Sequence, residues 1–554
     1  RLLIDRQGEP WAGNQQALDR LWQKRLKNAA LSLSLSDQSN QEVKDTLVDR
    51  YQGQLARLRQ TNSEDVFELF MAAVTGTVDP HTEYLSPRQG ESFDIQMRLS
   101  LEGIGALLQT EGEYVKVSSL VPGGPADKGG ALQPADRIVG VGQGESGEMV
   151  NVVGMRLDDV VELIRGPKGT TVRLDVIPAK AVDVTRSQVV KIVRDTVKLE
   201  DQAASSEVIE IEREDGKHRI GVIDIPTFYV DFDAWQAGEE DYRSSTRDVA
   251  KEIANLKAAN VEGILLDLRN NGGGALQEAN SLVGLFIDRG PTVQVRDARG
   301  RISLYGDTDS GVAYDGPLGV LVNRLSASAS EILAGAIQDY DRGLVIGSQT
   351  FGKGTVQTLS DLSHGQLKLT RAKFYRVSGE STQLRGVTPD ISFPSLVDPE
   401  MIGESSLDNA LPWDTVRAVE YRDYGNPERY LSTLKARHQA RIAQDPNFVY
   451  LEEQSALIKT LRDQQTTVSL NREQRQREMD AQESEQLALE NRRRQALGLD
   501  PLEDWTQTRD SAAQQNTEDD QGDEDDETAD PIDRAQVIEG SEIVLDYARL
   551  SGAS

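Results

Sequence analysis

One serine and one lysine stand out for the chemistry they could do together. Ser328 lies in LSASASEILAGAIQDY (residues 325–340), a serine- and alanine-rich turn that runs into a helical pattern. Lys353 lies between glycines in Phe351-Gly352-Lys353-Gly354-Thr355. A serine hydroxyl is a weak nucleophile until a base takes its proton. Histidine is the usual base, but none of His81, His218, His364 and His438 sits in a motif that reads as catalytic. His81, in a proline-punctuated loop, reads as ordinary surface. A neutral lysine serves instead if burial or nearby positive charge lowers its pKa from about 10 toward neutrality. Flanking glycines admit close backbone approach and Phe351 could exclude water, a setting from which a surface lysine gains nothing. Ser328 has a second reading, because Ser328-Ala329-Ser330-Glu331 fits the capping box S/T-x-x-E. If Ser330 is the cap instead, Ser328 stands just ahead of a helix N-terminus, where the dipole favours negative charge. Spacing alone leaves catalysis and capping both open.

The elements that must hold these residues alternate strand and helix. Leu318–Val322 reads as a buried strand, residues 330–340 as a helix and 344–346 as a short strand. Upstream, 220–228 reads as a strand, 246–258 as a helix, 263–268 as a buried strand and 277–286 as a helix reached through RNNGGGAL. This is an α/β layout with a largely parallel sheet covered by helices. A dinucleotide site at RNNGGGAL is disfavoured by its imperfect G-x-G-x-x-G spacing and by the lack of an acidic residue about 20 positions on. Its glycines still place free N–H groups at a helix N-terminus, which suits a developing oxyanion. Lys168 in RGPKGTT lacks the phosphate-loop spacing and reads as a turn.

The chain has 554 residues, a formal net charge of −30 and no cysteine. The length implies several domains. The charge argues against a nucleic-acid partner. Absence of cysteine removes a thiol nucleophile, a cysteine zinc site and disulfides. No apolar run reaches the roughly 20 residues needed to span a bilayer. The chain opens at Arg1 without an initiator Met, which points to a processed form or a fragment. Residues 1–80 carry helical periodicity, stopped by Asp79-Pro80, and PHTEYLSPRQ (80–89) reads as a loop within a linker, 81–96. From 97 to 180 short strands and glycine turns surround a single amphipathic helix, LDDVVELI (157–164). After about 397 the sequence turns helical and charged, with Trp413 in LPWDTV as an anchor. TEDDQGDEDDETAD (517–530) is a like-charge run read as disordered. Residues 532–550 are apolar-periodic and can return to the body.

EGIGALL (102–108), GGPADKGGALQPADRIVGVGQ (123–143) and LDDVVELIRGPKGT (157–170) resemble a PDZ domain of the bacterial protease-associated kind. The resemblance implies that Gly103, Ile104 and Gly105 offer N–H groups to a peptide's C-terminal carboxylate. Ala106 and Leu107 would then pair with that peptide by strand addition. Leu157, Val160, Val161 and Ile164 could line its pocket, with core packing an equal alternative for Val160 and Ile164. LSASASEILAGAIQDY with GSQTFGKGTVQ (347–357) and DLRNNGGGAL (267–276) resembles the active-site signature of the C-terminal processing, or tail-specific, proteases. The helical flanks and the LPWD segment resemble the larger Gram-negative periplasmic members.

What this implies is a multidomain chain with five parts: an N-terminal helical region (1–80), a linker (81–96), an inserted PDZ domain (97–180), a ClpP/crotonase-like α/β serine protease core (181–396) and a C-terminal helical domain (397–554). Ser328 would attack the peptide carbonyl and Lys353 would be the general base, a variant of triad chemistry. Gln357 falls at the supporting polar position and shares a face with Lys353 if 353–357 is a strand. Ala329 and Gly274 would supply the oxyanion N–H groups. Asp339 matches a position proposed as a third member. At 1.5 Å per residue, however, it lies roughly 16 Å along the helix from Ser328, so it is expected to support the fold or the lysine side. Expected partners are protein or peptide substrates with accessible apolar C-termini, an adaptor protein and the inner-membrane surface, in the periplasm. No cofactor, metal or nucleic acid is implied. The alternatives are a non-enzymatic PDZ scaffold with an inert core and a nucleotide-binding α/β enzyme.

Overall fold

The computed structural model describes residues 1–4, 6, 8–36, 38–180, 186–308, 310–464, 466–505 and 530–552. Its centre is a six-stranded sheet in the order Ser205–Arg213, Gly216–Asp224, Gly263–Asp267, Leu318–Val322, Leu344–Gly347, Ile391–Ser392. The first pair is an antiparallel hairpin and the remaining neighbours are parallel. The central strands Gly263–Asp267, Leu318–Val322 and Leu344–Gly347 are covered on both faces, so they are buried throughout instead of alternating. Ile264, Leu266, Val320 and Val322 face the helices Ser245–Ala258, Leu276–Gly284 and Ala329–Asp339. Leu265, Leu321 and Ile346 face the other way, onto the final helix, Pro531–Ser551, and onto Leu434 and Phe448. That helix sits close because Gly263 and Gly319 leave room for Val544.

A second sheet runs Ile302–Asp307, Gly290–Asp297, Gln366–Tyr375, Thr355–Asp361, and Glu83–Leu85 adds to the long strand Gln366–Tyr375. Residues 81–96, expected to be a loop-like linker, therefore contain a sheet strand and most of the helix Pro87–Arg98. The helix start is specified locally: Pro87 is at its first turn, and Ser86 with Gln89 forms a capping box.

The N-terminal region is three helices, Gln15–Ser34, Asn40–Gln60 and Ser63–Thr75, capped by Asn14, Ser39 and Asn62. The PDZ sheet runs Ala106–Glu111, Tyr114–Leu120, Arg137–Gln143, Thr171–Ile177, Gln188–Val193. It passes the boundary expected at residue 180, because Gln188–Val193 pairs with Thr171–Val176. The helix Leu157–Ile164 is tied to the N-terminal segment by Arg156 on Asp65 at 2.7 Å and by Arg88 on Asp159 and Glu162 at 3.0 Å each. At the C-terminal end the helices Glu428–Ile442, Pro446–Gln464 and Arg472–Ala496 precede the last one. The acidic run 517–530 lies, apart from Asp530, outside the described residues. No helix among the described residues is long and apolar enough to cross a membrane.

Candidate active site

Ser328 sits where the strand Leu318–Val322 turns into the helix Ala329–Asp339, with φ 57° and ψ −109°. A non-glycine residue rarely holds such a conformation, at a cost of about 1–3 kcal/mol, unless its surroundings impose it. They do here. The Ser328 N–H donates to Glu331 Oε2 at 2.8 Å, and the Ala327 N–H donates to the Asn271 carbonyl at 3.0 Å. The helix start presses on the glycine loop so closely that a side chain at Gly273 would lie 2.8 Å from Ser328 Cβ. Ser328 holds the N-cap position. Glu331 reaches back to the Ser328 amide as in a capping box, and the Glu331 N–H donates to the Ser328 carbonyl at 3.0 Å, so the cap position and the strained turn coincide at Ser328. Ser330, the alternative cap, is already inside the helix. Its hydroxyl donates to the Asn271 carbonyl at 2.9 Å, tying the helix to RNNGGG.

Lys353 approaches from the loop before the strand Thr355–Asp361. Its amide N–H donates to Glu331 Oε2 at 2.9 Å, the same oxygen that holds the Ser328 amide. One carboxylate oxygen thus fixes both backbones, so the two amide nitrogens stand no farther apart than the sum of those two bonds. The other oxygen takes the Gly352 N–H at 2.7 Å and the Thr350 hydroxyl at 2.6 Å. Glu331 is fully buried, and loss of solvent pushes its carboxyl up to about 7 against the pull of these four donors. The flanking glycine Gly354 lets the Ser381–Gln383 backbone pack where a side chain would sit, 2.8 Å from the Gln383 nitrogen.

Among the described residues the Lys353 ammonium makes no hydrogen bond or ion pair, and its pKa is pushed down to about 8. Burial is the larger cause and the positive charge of Lys368 the second; Glu404, Glu331 and Asp79 pull the other way. A lysine in this state is partly neutral near physiological pH and able to take a proton.

Gln357 does not share a strand face with Lys353. The strand begins at Thr355, so Lys353 lies outside it, and the bulge beside Gln357 leaves Arg371 of the neighbouring strand Gln366–Tyr375 unpaired. The Gln357 amide donates to the Thr355 and Thr370 hydroxyls at 2.9 and 3.0 Å, and Thr370 in turn donates to Asp79 at 2.9 Å. In the glycine loop the Gly273 N–H is spent on Asn271 Oδ1 at 2.8 Å. The N–H groups of Ala329 and Gly274 make no hydrogen bond among the described residues.

Asp339 ends the helix that Ser328 begins. Its carboxylate binds Arg376 at 2.5 and 3.1 Å and the Ser378 hydroxyl at 3.1 Å. Asp339→Asn is therefore expected to keep serine acylation while lowering stability by about 1–3 kcal/mol. Chemical denaturation and burst kinetics on one preparation check both halves, and loss of the burst at unchanged stability would contradict this.

In the PDZ domain Ala106–Glu111 is an edge strand, with Gly105 at φ 72° ahead of it and Leu107 exposed. Val160 and Ile164 belong to the buried core, which decides the alternative left open for them. Leu157 and Val161 are half-exposed on the same helix. Lys168 is in a turn, with its ammonium 2.6 Å from Asp195.

Three site components gave no usable sequence signal. Glu331 was visible only as a capping partner. Glu404, which no motif singles out, and His81, read as ordinary surface, meet at 2.7 Å beside the lysine loop. No spacing rule links residues so far apart in the chain.

Four family models match the sequence in succession: Tail specific protease N-terminal domain over residues 1–88, PDZ domain over 92–177, Peptidase family S41 over 219–393 and C-terminal domain of tail specific protease over 397–549. The Tail-specific protease of Haemophilus influenzae is 43% identical over 513 residues, spanning 90% of this chain and 71% of that protein. The Carboxy-terminal processing protease CtpA of Bacillus subtilis is 30% identical over 370 residues, 66% of this chain and 70% of that one. A solved PDZ domain of the carboxy-terminal protease from Vibrio cholerae, in complex with a peptide, is 54% identical; all of it aligns with 18% of this chain at a TM-score of 0.17.

Proposed function

The chain belongs to the tail-specific, C-terminal processing serine peptidases of family S41, and from that premise we propose that Ser328 and Lys353 are its nucleophile and general base. The observation that carries this is the Glu331 carboxylate oxygen shared by the Ser328 and Lys353 amides, beside a half-buried lysine whose amine has no hydrogen-bond or ion-pair partner among the described residues. Neutral Lys353 takes the hydroxyl proton as Ser328 Oγ attacks the peptide carbonyl carbon. The resulting ammonium gives that proton to the leaving amine, and an acyl-enzyme ester remains. Lys353 then draws a proton from water, which hydrolyses the ester. The Ala329 and Gly274 N–H groups are the proposed oxyanion donors, being unspent where Gly273 is not. Gln357 acts one step removed, joining Thr355, at the start of the strand that follows the lysine loop, to Thr370 on the neighbouring strand.

The substrates are proteins or peptides. Capture of the free tail is assigned to Gly103, Ile104 and Gly105, with Ala106 and Leu107 as the pairing edge and Leu157 and Val161 lining the groove. An inert scaffold is disfavoured, since a scaffold has no use for a strained serine and a lysine of lowered pKa held on one carboxylate oxygen. The reading extends to work in the periplasm, with an adaptor docking on the helical flanks and peripheral contact with the inner membrane.

The test of tail capture compares one unfolded substrate carrying a free or an amidated apolar C-terminus. Amidation removes charge-assisted bonds worth about 1.5–3 kcal/mol, so kcat/KM should fall about 10- to 100-fold, mostly through KM. Equal kcat/KM for the two tails would remove the PDZ role and leave the dyad standing.

A further inference from the structure

We propose that His81, which follows the N-terminal helices and lies outside the peptidase core, is a positioning residue for the general base: it occupies the Glu404 carboxylate and so keeps that anion from pairing with Lys353. The inference rests on the dyad assigned above. Three carboxylates send their field onto Lys353: Glu404, Glu331 and Asp79. An ion pair from any of them would fix the amine as an ammonium, which is no base.

Each is instead engaged by other donors. Glu331 holds Ser328, Gly352, Lys353 and Thr350 as described. Asp79 holds the His81 and Thr82 amides at 2.9 and 3.0 Å, the Thr82 hydroxyl and Thr370. Glu404, fully buried, has one oxygen on His81 Nε2 and the other on Gln383 Nε2, both at 2.7 Å. His81 is thus on two of the three anions, with its main chain on Asp79 and its ring on Glu404.

The same contact grips the lysine loop on both sides. The Glu404 N–H donates to the Phe351 carbonyl at 3.1 Å, and Gln383 Oε1 accepts the Gly354 N–H at 2.8 Å. The other charges facing this cluster are already committed. Lys368 is 3.6 Å from Glu83, and Arg324, packed on Gly403, bonds the Ile402, Pro399 and Thr350 carbonyls. The His81 side chain is 15% exposed, so its ring is nearly enclosed at this junction.

The experiment measures cleavage of an unfolded polypeptide from about pH 6 to 10, with melting temperatures, for wild type, His81→Ala, His81→Gln, Glu404→Gln and the double variant His81→Ala/Glu404→Gln. In His81→Ala the rising limb of kcat should move up by roughly one pH unit, so kcat near neutrality falls about tenfold with KM within about twofold. His81→Gln, which keeps a donor, should stay near wild type. Glu404→Gln removes an anion and should move the limb down, and the double variant should follow Glu404→Gln. A limb unmoved in His81→Ala or in Glu404→Gln, or losses that merely track melting temperature, overturns the proposal. Should His81→Ala fail to fold, the single Glu404→Gln limb decides. Lys353→Ala, run alongside, separates the two readings. Residual cleavage there sinks the dyad, whereas a dead Lys353→Ala with an unmoved His81→Ala limb sinks only the role of His81.

Discussion

Ser328→Ala and Lys353→Ala should each lower cleavage about 10⁴-fold or more while leaving tail binding intact, because each removes a reacting group and neither touches the PDZ groove. Lys353→Arg should be as dead as Lys353→Ala, since a guanidinium does not give up its proton. The pH profile carries the sign of the mechanism. The active form is the neutral amine, so wild-type kcat should climb about tenfold per unit at low pH and level off above about 8, where burial and Lys368 have brought the lysine. A histidine base would level off nearer its usual value of about 6.5. Flat activity from pH 6 to 9 would refute a lysine base. Stability separates the two residues further. Ser328→Gly relieves the φ of 57° and should melt higher than wild type, by an amount equivalent to about 1–3 kcal/mol, yet be inactive.

Much of the α/β core was legible because its strands and helices are specified locally. The strand Leu318–Val322 and the helix after it fall where apolar runs and the serine turn put them. The same local logic, applied to Ser86 and Gln89, would have found the helix Pro87–Arg98; the two prolines around it masked the capping box. Gln357 shows the opposite failure, since a period-two count from Lys353 presumes a strand already begun, and this one starts only at Thr355. His81 was out of reach of any such rule. Its meaning comes from Glu404, which folding alone brings to it.

Glu331 is where local and long-range information diverge most, and Glu331→Ala should be the most damaging single change outside the dyad. Read locally it caps a helix, a role worth about 1 kcal/mol. In the fold it is the common acceptor for Ser328, Gly352, Lys353 and Thr350, and its own carboxylate is fully buried. Alanine leaves those donors unsatisfied, so stability should drop by about 3–5 kcal/mol. Both halves of the dyad come loose together, and kcat should fall at least about a hundredfold, the cost of misplacing reacting groups by an ångström. Glu331→Gln is a poor substitute because its NH₂ would face donors on one side or the other. Linkage adds an independent readout. The folded carboxyl, raised to about 7 from 4.5, favours the protonated form, so this group's contribution to stability is full below about 4.5 and is lost as pH rises through about 7. The stability difference between wild type and Glu331→Ala should therefore shrink over that window while the difference in kcat persists. Denaturation curves at pH 5 and pH 8, with serine labelling by a phosphonate, measure both. Near-normal labelling in Glu331→Ala would show that the dyad does not depend on its shared acceptor.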